Sequence, residues 1–174
     1  METFTIRLSR PEDIPALREI YNEQVLRGTA TFDTEAKSMA ERQEWFAMHQ
    51  NPKYPLFSAV ANEQVVGWGS LSPFHTRPAY APSVEFSIYV HQAYRGQGVG
   101  ALLLTQLLAE ARDLGYHSIL GLIAGNNEAS LALADKFAME RVGRYREVGK
   151  KFGRWLDVVI VQYMLEGPAE FEVD

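Results

Sequence analysis

The chain has 174 residues, of which 47% are hydrophobic and 22% charged, and it contains no cysteine. This length is typical of one domain, and the lack of cysteine excludes disulfides, thiolate metal sites and cysteine nucleophiles. With 17 Lys and Arg against 22 Asp and Glu, the net charge of −5 argues against nucleic-acid binding. No signal-peptide pattern opens the sequence and no apolar run reaches the ~18 residues of a membrane span. We therefore expect a soluble, cytoplasmic protein with no membrane partner.

Hydrophobic periodicity and turn residues predict an alternation of strands and helices along the whole chain. In chain order the predicted elements are a strand at 3–8, helices ending near 26 and running from 38 to 51, strands at 57–61, 65–71 and 84–90, a helix at 98–115, a strand at 118–124, a helix at 128–137, and strands at 142–148 and 156–165. The first strand places Phe4, Ile6 and Leu8 on one face, and residues 149–155 are expected to be the final loop.

Two Ser-x-x-Glu patterns, beginning at Ser9 and Ser38, are typical of capping boxes at helix starts. The element order is β-α-α-β-β-β-α-β-α-β-β, with a meander in the middle and a β-α-β crossover after it. This order predicts one α/β domain with a mixed sheet and argues against a doubly wound parallel sheet. We assign the domain to residues 1–166 and expect residues 167–174 to be an acidic, frayed tail.

The sharpest local signal is a glycine-rich turn, Arg95-Gly-Gln-Gly-Val-Gly100, between the predicted strand 84–90 and the long helix. Alternating glycines let backbone N–H groups face inward, and a helix start has unpaired N–H groups and favours anions. The turn therefore predicts a phosphate or pyrophosphate site. It is not Gly-x-Gly-x-x-Gly, because Leu103 occupies the last position, and Lys151 excludes a Walker motif at Gly149-Lys150. The alternative is a simple tight turn.

On these residues the sequence resembles the GCN5-related N-acetyltransferase (GNAT) superfamily, whose acetyl-CoA pyrophosphate loop has the pattern Arg-x-x-Gly-x-Gly. Residues 127–137 are similar to its second cofactor helix. Residues 72–80 and 148–158 resemble the phosphinothricin and methionine sulfoximine acetyltransferase branch. The resemblance covers nearly the whole chain. It implies a mixed, mostly antiparallel sheet flanked by helices and splayed at the central cofactor-binding strand.

The resemblance implies acetyl-CoA as co-substrate. Its pantetheine arm would pair with the central strand like an added strand, its pyrophosphate would lie against residues 95–101, and Asn127 would hydrogen-bond the pantetheine. The expected cofactor-binding residues are Ile88, Tyr89, Val90, Arg95, Gly96, Gln97, Gly98, Val99, Gly100, Ala101 and Asn127. No two histidines have metal-ligand spacing, so no metal is expected.

Without cysteine, direct attack by a substrate amine on the thioester is the natural mechanism. Amines with a pKa of about 8–10 are mostly protonated at neutral pH, so a general base is useful. Alternation along strand 84–90 places Glu85 on a polar face with Ser87 and Tyr89. The matching glutamate of the family is regarded as the base. A solvent-facing strand glutamate is the alternative.

No general acid is assigned for the departing CoA thiolate. The superfamily commonly has a tyrosine, and the phosphinothricin branch a histidine, where this chain has Ala134. Either the thiolate leaves unassisted, which a thiol pKa near ~8.5 permits, or another residue protonates it. Backbone N–H groups of the cofactor strand are the expected donors to the oxyanion.

A zwitterionic substrate needs a cation for its carboxylate, and Arg77 is suited to bidentate capture. Phe32 and Tyr80 would form walls of the pocket. The alternatives are a surface salt bridge for Arg77 and a surface or core-edge position for His75. The expected substrate-binding residues are Phe32, His75, Thr76, Arg77, Glu85, Phe86 and Ser87.

The first functional hypothesis is an acetyl-CoA-dependent N-acetyltransferase for a small amino acid analogue such as phosphinothricin, methionine sulfoximine or methionine sulfone. The alternatives are acetylation of a protein N-terminus and a non-catalytic acyl-CoA sensor. The resemblance also implies a homodimer formed through the C-terminal strands. The aromatic, basic segment 150–155 agrees with an interface, whereas Trp155 in an ordinary core is the competing interpretation.

Overall fold

The computed structural model describes residues 3–165, which form seven strands and four α-helices in the predicted order. The elements are β1 (Thr5–Leu8), α1 (Ile14–Arg27), α2 (Met39–Met48), β2 (Leu56–Ala61), β3 (Gln64–Pro73), β4 (Ser83–Val90), α3 (Val99–Asp113), β5 (Ser118–Ala124), α4 (Glu128–Lys136), β6 (Glu140–Lys151) and β7 (Arg154–Met164). The predicted tail at 167–174 lies outside the described residues. Within residues 3–165, no helix has the length and apolarity needed to cross a bilayer.

All seven strands form one sheet in the order β1-β2-β3-β4-β5-β7-β6. Only β4 and β5 run parallel, because the crossover through α3 connects them. Their pairing covers three residue pairs, from Ser83 with Ser118 to Glu85 with Leu120, and then stops. Beyond Glu85 the two strands separate, so one edge of β4 is left unpaired. The predicted mixed, mostly antiparallel sheet with a splay at the central strand is confirmed.

The two faces of β4 contact different layers of the molecule. Val84 is fully buried in the main core beneath α3, together with the predicted helix stripe of Val99, Leu103, Leu107 and Ala111. Tyr89 packs on the opposite face, in a second cluster with Trp68 of β3 and residues of α1 and α2. Because side chains alternate along a strand, Glu85 and Ser87 share the face of Tyr89. The predicted alternation along β4 is therefore confirmed.

The N-terminal segment differs from the prediction in two respects. Leu8 is 61% exposed and does not share the core contacts of Phe4 and Ile6. The Ser9 capping box is wrong: the Asp13 carboxylate accepts the Arg10 amide at 2.8 Å, while the Ser9 hydroxyl bonds Ser58 at 2.7 Å. The carboxylate that caps the first helical turn is therefore that of Asp13, one position after Glu12, which the sequence predicted for this role.

The second capping box agrees with the prediction, whereas the final hairpin does not. Ser38 accepts the Glu41 amide at 3.2 Å and its own amide donates to Glu41 at 2.8 Å. The final hairpin has no loop at 149–155. Strands β6 and β7 continue to a two-residue turn at Phe152 and Gly153, where φ is 50° and 72°. Positive φ at both positions is typical of a tight hairpin turn, so the strands stay paired farther than polarity alone suggests.

Asp13 is buried in a polar network that joins β1, β2 and the first helical turn. The Arg7 guanidinium donates to its carboxylate at 2.6 and 2.9 Å, and Ser58 donates at 3.2 Å. Burial alone would raise the pKa of Asp13, but Arg7, the Arg10 amide and Ser58 outweigh it and hold the pKa below its ordinary value.

Replacing Asp13 by asparagine is expected to lower the free energy of unfolding at pH 7 by about 2–3 kcal/mol, because Arg7 loses its partner. A carboxylate with a lowered folded-state pKa stabilises the fold above its unfolded pKa of about 3.9, and this contribution is lost as the pH falls through the folded value. Urea unfolding between pH 3 and 7 measures both effects. Asp135→Asn, which breaks an exposed pair with Arg141, is the matched control and is expected to change stability by less than about 0.5 kcal/mol. Equal effects of the two variants would contradict the role of Asp13.

Candidate active site

A cavity of about 210 Å³ opens where β4 and β5 separate. Its lining includes Glu85, Ser87 and Tyr89 from β4, together with residues of β5 and the first turns of α4. Beyond Glu85 the edge of β4 has backbone groups that do not pair with β5, and such an edge can accept an extended ligand by strand addition. The expected cofactor strand is thus an open edge beside a cavity.

The predicted phosphate turn lies at the start of α3. Gly96 and Gly98 have φ of 73° and 90°, and a Cβ at either position would meet nothing within 4 Å. Glycine is required here for the left-handed backbone, not for close packing. Among the described residues, the amides from Gly96 to Ala101 donate to no carbonyl or side chain, and the first bonded amide of the helix is that of Leu102. A run of unpaired amides at a helix start can hold a phosphate.

The side chains of Arg95 and Gln97 in this turn are already hydrogen-bonded to other parts of the chain. The Arg95 guanidinium donates to the Val90 carbonyl at 3.0 Å and to Glu23 of α1 at 2.8 Å. Gln97 donates to the Ala93 carbonyl at 2.9 Å. An anion at the turn would therefore contact the unpaired backbone amides of residues 96–101 more readily than the occupied side chains of Arg95 and Gln97.

Glu85 has the environment of a general base. Its half-buried carboxylate lines the cavity and has no hydrogen-bond partner or ion pair in residues 3–165. Burial raises the pKa of Glu85 above its ordinary value, with no charged neighbour opposing it. A carboxylate whose pKa moves toward neutrality is a better proton acceptor for an ammonium group than a solvated glutamate.

Residues of α4 close the other side of the cavity. The side-chain oxygen of Asn127 caps this helix by accepting the Ser130 amide at 3.2 Å, and Asn127 also lines the cavity. Ala134, one turn beyond Ser130, lines the cavity and is 1% exposed. The side chain of Ala134 is a methyl group, so it supplies no proton to a ligand in the cavity.

A second cavity of about 300 Å³ lies between β3, β4 and helices α1 and α2. Ser87 and Tyr89 line both cavities, so the two spaces meet along β4. The second cavity has aromatic walls, including Trp45 and Trp68, and contains the guanidinium of Arg42. The arrangement offers one space for an extended ligand on the open strand edge and an adjoining one for a small polar molecule.

The expected substrate residues are only partly brought together. Glu85, Phe86 and Ser87 line the first cavity. His75, Thr76 and Arg77 lie on the exposed segment between β3 and β4 and line neither of these two cavities. Within residues 75–77, the Arg77 amide donates to the His75 ring at 3.3 Å, and the Arg77 carbonyl accepts the Tyr80 amide at 3.0 Å.

Phe32 packs against the backbone of Gly149 in β6 and also lies outside both cavities. The loop that follows α1 and carries Phe32 is held by Lys151, a buried residue of β6. The sequence analysis named Lys151 only in excluding a Walker motif. The Lys151 ammonium donates to the Gln24 and Thr31 carbonyls at 3.0 and 2.8 Å. The C-terminal hairpin therefore positions the loop that follows α1.

Sequence reasoning also missed Arg42, although a signal was present. Arg42 lies three and four positions before Trp45 and Phe46, on the same helix face. A charged residue on the apolar face of an amphipathic helix is unusual enough to be noted.

Among the described residues, no group of three His, Asp or Glu side chains could hold a metal ion.

Comparisons with known proteins agree with this geometry. A sequence model of the acetyltransferase (GNAT) family matches residues 14–139. The phosphinothricin N-acetyltransferase of Streptomyces coelicolor is 38% identical over 88% of this chain and 91% of its own length. An L-methionine sulfoximine/L-methionine sulfone acetyltransferase of Salmonella typhimurium is 34% identical over 93% and 95%. The structure of a phosphinothricin acetyltransferase from Sinorhizobium meliloti in complex with AcCoA is also similar, with a TM-score of 0.93, 34% identity, and coverage of 99% of this chain and 94% of its own.

Proposed function

The chain belongs to the GNAT family of acetyltransferases, and from that premise we propose that it transfers the acetyl group of acetyl-CoA to the primary amine of a small amino acid analogue. The substrate class is that of phosphinothricin, methionine sulfoximine and methionine sulfone. The observation that carries the proposal is the unpartnered carboxylate of Glu85, which lies in the cavity between β4 and β5. The names of the similar proteins support the substrate class.

The residues around the splay fit acetyl-CoA. The unpaired amides of residues 96–101 would hold its pyrophosphate, and the free edge of β4 at Ile88 and Val90 would pair with the pantetheine amides. Asn127 would donate its side-chain amide to the same arm, because only its oxygen is engaged in capping α4. When bound, acetyl-CoA supplies the thioester that the amine attacks.

The chemistry assigned to this chain is modest. Glu85 accepts a proton from the substrate ammonium group, directly or through a water molecule, so that the neutral amine attacks the thioester carbon. Attack forms the C–N bond and gives a tetrahedral adduct, whose negatively charged oxygen accepts from backbone N–H groups of β4. The adduct's nitrogen then loses its second proton to water as the C–S bond breaks. Because Ala134 offers no proton, CoA leaves as a thiolate, which its pKa near ~8.5 permits.

The proposed substrate class is tested by following thiol release from acetyl-CoA with a panel of amines. We expect turnover with methionine sulfone and phosphinothricin, and at least about 10-fold lower kcat/KM with a peptide bearing a free N-terminus. The peptide is the discriminating substrate, because a cavity of about 300 Å³ with aromatic walls leaves little room for the chain that continues beyond its first residue. CoA binding without turnover of any amine would favour a sensor, and preference for the peptide would favour protein acetylation.

We further propose that the protein is a cytoplasmic homodimer formed through its C-terminal strands. Large apolar side chains are exposed along β6, β7 and the turn between them: Val142, Tyr145, Val148, Phe152 and Trp155. Trp155 is 60% exposed, so it does not belong to the core of this chain. Exposed large apolar side chains concentrated on one hairpin favour an interface.

A further inference from the structure

Arg42 of α2 is a buried cation held among aromatic rings. It is 4% exposed, and its guanidinium carbon lies 3.5 Å from the centroid of the Trp45 ring, 4.6 Å from that of Tyr21 and 4.8 Å from that of Trp68. Its Nε and Nη2 atoms are buried and have no hydrogen-bond partner among the residues described. A buried guanidinium with unused donors is costly unless a ligand supplies acceptors.

The charge on Arg42 is retained at neutral pH. Burial lowers the pKa of Arg42 to about 10, which leaves it protonated. The two carboxylates that share its cavity are engaged elsewhere. Asp33 accepts from the Tyr21 hydroxyl at 2.7 Å and pairs with Lys37 at 3.2 Å, and Glu41 caps α2 by accepting the Ser38 amide.

A second unused donor lies beside Arg42. The indole Nε1 of Trp68 is buried and has no partner in the described part of the chain, and Trp68 itself is 2% exposed. Arg42 and Trp68 line the second cavity, as do Ser70 and Ser72, which follow Trp68 along the same face of β3. Unused donors in one cavity favour an occupant that is rich in oxygen acceptors and carries negative charge.

The strand register places this donor cluster away from the reacting end of the substrate. Across β3 and β4, Ser72 faces Glu85 and Trp68 faces Tyr89, so four residues, or roughly 13 Å, separate the two pairs. Ser87 lies between them and lines both cavities. Ser87 is two residues, or roughly 7 Å, from each pair, so an amine beside Ser87 that reaches Glu85 directly or through water directs the remote end of its molecule toward Trp68 and Arg42.

We propose that Arg42 and Trp68 bind the oxygen acceptors at the end of the substrate's side chain, such as those of a sulfone, sulfoximine, phosphinate or carboxylate. The pair makes the enzyme selective for amino acids whose side chain ends in such a group, over those of the same shape without it. This inference rests on the proposed function. It assigns substrate specificity to one residue of α2 and one of β3, and not to Arg77 in the exposed segment after β3.

The test compares methionine sulfone with methionine, which has the same skeleton without the sulfone oxygens. For the wild-type enzyme we expect kcat/KM to be at least about 10-fold higher with the sulfone. In Arg42→Met, which keeps a flexible unbranched side chain among the rings but removes the guanidinium, the sulfone should lose about 10- to 100-fold while methionine changes less than about threefold. Arg18→Met, which removes another partly buried arginine outside the cavity, should leave the ratio unchanged.

Two results would overturn the inference: a wild-type enzyme that uses both amino acids equally, or an Arg42→Met enzyme that keeps the wild-type ratio, whether its activity is unchanged or falls equally on both substrates. The wild-type comparison decides the question even if Arg42→Met does not fold. A wild-type protein that acetylates neither amino acid but still binds CoA would instead contradict the proposed function. Binding provides an independent readout: methionine sulfone should raise the Tm of the wild-type protein and not that of Arg42→Met.

Discussion

Replacing Glu85 by glutamine is expected to reduce kcat/KM for methionine sulfone by about 10²- to 10⁴-fold, the usual contribution of a general base. Glutamine has nearly the same shape but cannot accept the ammonium proton. Because the substitution leaves the glycine turn and the edge of β4 unchanged, the Kd for CoA should stay within about twofold. Thiol release measures the first quantity and calorimetric titration the second.

The pH profile separates a base from a residue that merely shapes the cavity. Burial raises the pKa of Glu85, so the active, deprotonated form is lost as the pH falls through that raised value. The acidic limb of the wild-type kcat/KM profile should therefore lie above pH ~4.3, the ordinary glutamate value, and should be absent in Glu85→Gln.

Two controls accompany the Glu85 variant. Glu140→Gln neutralises an exposed strand glutamate outside the two cavities and should retain full activity. Burial disfavours the charged form of Glu85 in the folded state, so Glu85→Gln should be at least as stable as the wild type at pH 7. Activity of Glu85→Gln within threefold of the wild type across the pH range would remove Glu85 from the mechanism.

Replacing Gly98 by valine is expected to weaken CoA binding by about 10²- to 10³-fold. A β-branched residue at φ 90° strains the backbone by roughly 1–2 kcal/mol, and the turn relieves that strain by re-aiming its amides. Loss of a charge-assisted hydrogen bond to phosphate adds about 1.5–3 kcal/mol. Calorimetric titration of CoA measures the change, and Gly98→Ala should give a smaller effect in the same direction.

The matched control for Gly98 is Gly153, in the turn between β6 and β7. It also has positive φ, and a Cβ there would meet nothing within 4 Å. Gly153→Val therefore introduces similar backbone strain far from the splay and should lower stability without changing the Kd for CoA. Wild-type affinity in Gly98→Val, or an equal loss in Gly153→Val, would contradict a pyrophosphate site at residues 96–101.

Local patterns in the sequence determined much of this protein. The order of strands and helices, the stripe on α3 and the alternation that exposes Glu85 follow from periods of 3.6 and 2, which involve only neighbouring residues. The turn at Gly96 and Gly98 was recognisable because positive φ favours one residue type. The splay at the central strand was expected only from the family resemblance.

Tertiary structure alone decided what no local pattern encodes. The donor cluster of Arg42 and Trp68 exists because α2 packs across β3, which brings together residues 26 positions apart. Arg77 was predicted to bind the substrate carboxylate because it is an arginine in a loop. It lies on an exposed segment, because the ends of β3 and β4 carry that segment outside both cavities. Periodicity tells which side of an element is buried. It does not tell which element packs against that side. Whether a buried charge finds a hydrogen-bond partner therefore depends on contacts between distant parts of the chain.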